Sequence, residues 1–174
     1  MAANVRFINP NTLAPQSGYS YVVDTTGPGR TVYVAGQLGL DMENKLVGAP
    51  GDFRAQCIKA IENLKAALAG VGANLSDVVK ITNYLTDMSA HIGIYREVRD
   101  QFFPIPRPAS TAVGISQLAR PGALFEIEAI AVLPAAKSTP AKARGASRSA
   151  KAKTTAKSRA KSRAKAPSGR RKRK

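Results

Sequence analysis

The chain of 174 residues has no tryptophan, one cysteine and one histidine, and beyond Glu128 it has no acidic residue. A lone Cys57 cannot close an internal disulfide, and with His91 it supplies too few ligands for a His/Cys metal cluster of the usual spacings. A Cys57–His91 nucleophilic pair is formally open. However, Cys57 falls on an apolar helical stripe, the place of an inert core thiol. No segment approaches the ~20 apolar residues of a membrane helix, and MAANVRFINP lacks the basic run and apolar stretch of a secretion signal. The glycines of GPGR (27–30) and GVG (70–72) lack the spacing and the Lys-Ser/Thr of phosphate-binding loops, so they read as turn and cap residues. These absences predict no metal and no nucleotide cofactor, in a soluble chain that is not secreted by that route.

Charge divides what remains into two parts. Residues 1–136 carry 11 of the 27 Lys and Arg and all 11 Asp and Glu, so they are neutral, and 137–174 carry the whole net charge of +16. The boundary lies near Pro134 and Pro140, giving a domain at 1–134 and a tail at 135–174. The tail is built from Lys, Arg, Ala, Ser, Thr, Pro and Gly, with AKSR at 156–159 repeated at 160–163. With no large apolar side chain to bury, it cannot offset the entropy of ordering and is expected to be disordered. Its charge predicts binding to nucleic acid or another polyanion by counterion release, and its lack of aromatics predicts sequence-blind binding. A solvated tail without a specific partner is the plainer alternative.

Within 1–134, Phe53, Cys57, Ile61, Leu64, Leu68 and Val71 recur at helical spacing, with Asp52 placed to cap the start and Gly72 the end. Ile94, Tyr95, Val98 and Phe102 suggest a second, shorter helix, which Pro104 must end. Strand-like runs lie at 5–8, 19–24, 31–38, 78–85, 109–115 and 124–133, the first three punctuated by Pro and Gly as in a meander. Strands then alternate with helices. A sheet with both helices on one face buries both stripes, an α+β layering whose other face self-association would cover.

The segment PIPRPASTAVGISQLARPGALFEIEAIAVL (104–133) speaks most directly to function. In its second strand Phe125, Ile127, Ala129, Ala131 and Leu133 form one apolar face, while Leu124, Glu126, Glu128, Ile130 and Val132 form the other. Two carboxylates thus share a largely apolar face, as beside a pocket or partner. EIEAIAV, with VYVAGQLGLD (32–41), RAQCIKAIENLKAALAGVGANLSDVVKITNYLTDM (54–88) and NPNTLAPQSGYS (9–20), resembles the Rid (YjgF) family over roughly residues 5–134. The resemblance implies a chorismate-mutase-like α+β fold with a mixed six-stranded sheet. It also implies a cytoplasmic homotrimer with a small-molecule site in each intersubunit cleft.

By the same resemblance, Glu126 matches the glutamate beside the attacking water in active enamine/imine deaminases, Tyr19 a pocket tyrosine and Gly36 a glycine whose backbone borders the site. Ordinary strand packing accounts equally well for Tyr19 and Gly36. Deaminating members carry an arginine that clamps the substrate carboxylate in a run like PARS. Here that run is Pro108-Ala109-Ser110-Thr111, so Ser110 stands at the arginine position. Ser110 and Ala112 share a small-residue face that leaves room for a ligand, and Tyr95 falls where some members carry asparagine. Arg107 lies at an odd offset, and Arg120 lies in the LARPG turn. Two readings follow: a Rid-type metabolite-binding protein with weakened chemistry, or an active deaminase hydrolysing intermediates such as 2-aminoacrylate to 2-oxo acids. Relatives linked to RNA cleavage and to holdase activity give a third. The tail would add nucleoid association to a cytoplasmic location.

Overall fold

The structure, a computed structural model, describes residues 4–14 and 18–135. The expectations of disorder and polyanion binding for the tail lie outside the described residues.

Helix α1, Phe53–Ala69, starts where the sequence places it: Asp52 accepts the Ala55 N–H, satisfying a donor that the first turn leaves open. Cys57, Ala60, Ile61, Leu64 and Leu68 along one face are fully buried. Its end comes earlier than the apolar pattern suggests. The chain leaves the helix at Gly70, and Gly72 turns it at φ +73°, with the Ala73 N–H returning to the Leu68 carbonyl. Val71 therefore falls past the last helical turn and is 40% exposed, not part of the stripe. Helix α2, Met88–Phe102, is capped by Asp87 and ends before Pro104. The rings of Phe53 and His91 stack at 4.1 Å between the first turns of the two helices.

Among the described residues six strands form, but not in one sheet. β1 (Asn4–Ile8) pairs antiparallel with β2 (Val22–Thr26), while β3 (Gly29–Leu38), β4 (Val78–Leu85), β5 (Ala109–Gly114) and β6 (Phe125–Pro134) make a mixed sheet in the order β3-β6-β4-β5. The expected single six-stranded sheet is thus replaced by sheets of two and four strands. Gly27 (φ +84°) and Pro28 connect β2 to β3 without a ladder between them, and Pro28 has no N–H to offer one. β2 also begins three residues later than the run 19–24, so Tyr19 precedes the strand.

β4 and β5 are parallel, with α2 as their crossover, and β6 runs antiparallel to both of its neighbours. α1 packs on β3 and β6, and α2 packs on α1 and β4, so both helices lie on one face. The core lies between: Ile81, Leu85, Phe125, Ile127 and Ala131 on the sheet meet Ile61, Leu64, Leu68, Tyr95 and Val98 on the helices. Each fully buried Leu or Ile is worth about 1.5–3 kcal/mol of transfer free energy. Among the described residues no element lies over the opposite face. Lys80, Thr82, Tyr84, Glu126, Glu128 and Ile130 are only half-buried there, and Tyr33 is 77% exposed.

Candidate functional site

The expected site residues fall into two clusters. The first is built on a bulge. β3 and β6 pair Val34 with Ala129 but Gln37 with Ile127, so Ala35 and Gly36 together oppose Glu128. Gly36 is the position over which the Glu126 carboxyl lies, and a Cβ there would overlap that carboxyl. Glycine lets the carboxyl rest there, and a larger residue would push it aside. Burial, and then the charge of Glu128, raise the Glu126 pKa above its ordinary value. Across the face the Tyr84 hydroxyl donates to Glu128 Oε1 at 3.3 Å, and Lys80 Nζ donates to Thr111 Oγ1 at 2.6 Å. Burial lowers the Lys80 pKa, with Glu128 opposing the shift. An open cavity of about 370 Å³ lies beside this cluster, bordered by Tyr33, Lys80, Thr82, Glu128 and Ile130.

The second cluster is a pocket of about 100 Å³ between α2 and the β5 edge, where Tyr19, Tyr95, Ser110 and Ala112 meet Arg96 and Arg99. The Asn83 amide donates to Ser110 Oγ at 3.2 Å and to the Thr111 carbonyl at 3.0 Å, fixing this stretch of β5. Tyr95 is 1% exposed, and its hydroxyl has no hydrogen-bond partner of good geometry. Burial pushes its pKa up to about 12, with Ser110 and Arg99 as neighbours that oppose the rise. Tyr19 packs edge-to-face on Tyr21 at 5.5 Å.

The two clusters lie on opposite faces of the sheet. Ser110 pairs with Ile81, whose side chain is buried on the helical side, whereas Glu126 alternates with the buried Phe125 and Ile127 and so faces away from the helices. One chain therefore does not bring Glu126 and Ser110 together.

Arg96 and Arg99 were not among the residues the sequence singled out. The signal was present: Arg99 is four residues beyond Tyr95, on the same helical face one turn later. Its side chain is only 6% exposed, its Nε and Nη2 donate to Asp100 Oδ1 at 2.9 and 2.7 Å, and its guanidinium lies 5.6 Å from the Tyr95 ring centroid. A Cβ on Gly18 would overlap the same guanidinium. Arg107 does not line the pocket. It approaches Asp100 at 3.3 Å, and its carbonyl accepts the Ser20 hydroxyl. Arg120 donates to the Asn44 carbonyl at 2.8 Å in a surface turn. Cys57 is fully buried, and burial pushes its thiol up to about 12, so it is a thiol and not a thiolate at neutral pH. Among the described residues no group of three or more His, Cys, Asp or Glu is placed to hold a metal. No helix among them is long and apolar enough to cross a membrane.

A family model described as Endoribonuclease L-PSP matches residues 10–133. The chain is 41% identical over 103 residues to a RutC family protein of Pyrococcus abyssi, covering 59% of this chain and 79% of that one. It is 36% identical to a protein of Dermatophagoides farinae named 2-iminobutanoate/2-iminopropanoate deaminase, covering 70% and 91%. Among solved structures, a conserved Rid family protein, YyfB from Yersinia pestis, superposes with a TM-score of 0.65 at 33% identity, covering 74% of this chain and 98% of that one.

Proposed function

Because the chain belongs to the Rid (YjgF) family, we propose that it binds small 2-oxo- or 2-imino-acid metabolites where copies of the chain meet, with deaminase chemistry weakened by Ser110. The observation that carries this reading is the separation of the two clusters. A ligand touching both the Gly36–Glu126 bulge and the Ser110 pocket needs a second copy, and the uncovered sheet face with its half-buried Ile130 and Val132 supplies a surface for one. A homotrimer, as the family resemblance implies, meets that need. Ser110 and Ala112 make room for a ligand, and Tyr19 and Tyr95 wall it. Hydrolysis of 2-iminopropanoate or 2-aminoacrylate should be weak or absent in the wild type and should rise in Ser110→Arg, which restores a planar carboxylate clamp. A loss of binding and turnover alike in every variant would refute the reading.

The raised pKa of Glu126 favours a second reading, an active deaminase, the activity for which the Dermatophagoides relative is named. In that reaction a water held at Glu126 adds to the imine carbon, Glu126 relays one water proton to the nitrogen and then the hydroxyl proton of the carbinolamine, and the C–N bond breaks to release ammonia and the 2-oxo acid. A fast wild-type rate abolished by Glu126→Ala would establish it over the first.

Composition supports a division at 134/135. Residues 137–174, with all of the +16 charge, are proposed to bind nucleic acid without sequence preference, holding a cytoplasmic protein on the nucleoid.

A further inference from the structure

We infer that the pocket between α2 and β5 is an anion subsite in which Arg99 takes the carboxylate of the ligand, with Asp100 as the residue that holds Arg99 in position. The inference rests on the metabolite-binding reading and names the group that this half of the site recognises.

Its charged lining is cationic, Arg96 and Arg99, and its other polar groups are hydroxyls that can donate. A guanidinium donates and never accepts. Asp100 takes Nε and Nη2 of Arg99, and the rest of the guanidinium borders the pocket. The Tyr95 hydroxyl is buried without a partner of good geometry, Ser110 and Arg99 stand beside it, and Ser110 Oγ accepts from Asn83. A buried donor without an acceptor is costly, about 1–3 kcal/mol. A carboxylate, which only accepts, would take the Tyr95 hydroxyl and the Arg99 guanidinium together.

Charge agrees with this. Asp100 is shared by Arg99 and Arg107, and Arg96 stands exposed at the same pocket, so cations outnumber the one carboxylate. Size agrees as well, since about 100 Å³ admits a carboxylate and its first carbons but no nucleotide. Packing pins the guanidinium between Gly18 and the Tyr95 ring, so it is preorganised.

The test is calorimetric titration of the full-length protein with 2-oxobutanoate and with its neutral amide. The wild type should bind the acid at least tenfold more tightly than the amide. Arg99→Lys keeps the charge but loses the planar fork, and should cut acid affinity about tenfold while leaving the amide unchanged. Ser110→Asp, at a half-buried position on the edge strand, should abolish acid binding by placing a carboxylate in the subsite while keeping an oxygen for the Asn83 amide. Asp100→Asn should weaken the acid and spare the amide. Acid binding unchanged in Arg99→Lys and Ser110→Asp would overturn the inference and leave the metabolite-binding reading standing. Failure of the wild type to bind either compound would overturn both.

Discussion

At Glu126 the carboxyl leans on the Gly36 backbone, among neighbours that offer little to stabilise a negative charge. Its pKa is raised above the ordinary 4.5, first by burial and then by Glu128. A raised folded-state pKa means that the contribution of this group to stability is fully present below pH 4.5 and is lost as pH rises through the folded value. Gln at 126 cannot titrate. Thermal melts of wild type and Glu126→Gln from pH 4 to pH 8 should therefore show the Gln variant gaining on the wild type as pH increases. A gap that stays constant across this range would show that Glu126 ionises at no cost to the fold.

At the scale of elements, α1 was legible almost to the residue because three signals agree: an apolar stripe, an Asp cap and terminal glycines. Its end was overshot because Val71 continues the apolar rhythm after the backbone has left the helix at Gly70. The cap gives a direct check. Asp52→Ala removes the acceptor for the Ala55 N–H and should lower stability by about 1 kcal/mol in denaturant titration, without changing the slope of the transition. The alternation of β6 was equally legible, since period two sends Phe125 and Ile127 one way and Glu126 and Glu128 the other. Sheet partition was not, because nothing in the order of strands says that β2 pairs only with β1. The helical arginines were missed for a related reason. The inner face of α2 was sought in its apolar residues, while Arg99 lies buried on that face through Asp100 and the Tyr95 ring, contacts that join residues only once the helix has docked.

For the whole molecule, the uncovered sheet face and the separated clusters both predict association. Light scattering on residues 1–134 should report three subunits, and a clean monomer would remove the intersubunit site. The charge division predicts that removing 137–174 abolishes duplex-DNA binding and leaves trimer mass and melting temperature nearly unchanged. Three tails on one particle would bind together with an avidity that one lacks. Full-length binding, titrated on two unrelated duplexes, should be indifferent to sequence and fall with salt at roughly −0.9 log units per phosphate neutralised. Equal binding by the truncated protein would move the nucleic-acid site into the folded part. The bulge at Ala35–Gly36 bears on how such a molecule can change. Because the Glu126 carboxyl lies over the Gly36 backbone, a side chain at 36 would displace the acid from its place on the face. Arg99 approaches Gly18 in the same way, on the opposite face and at the edge of the sheet. A glycine thus fixes where a charged side chain rests on each face of the sheet, and a substitution at either glycine would be felt first by that side chain.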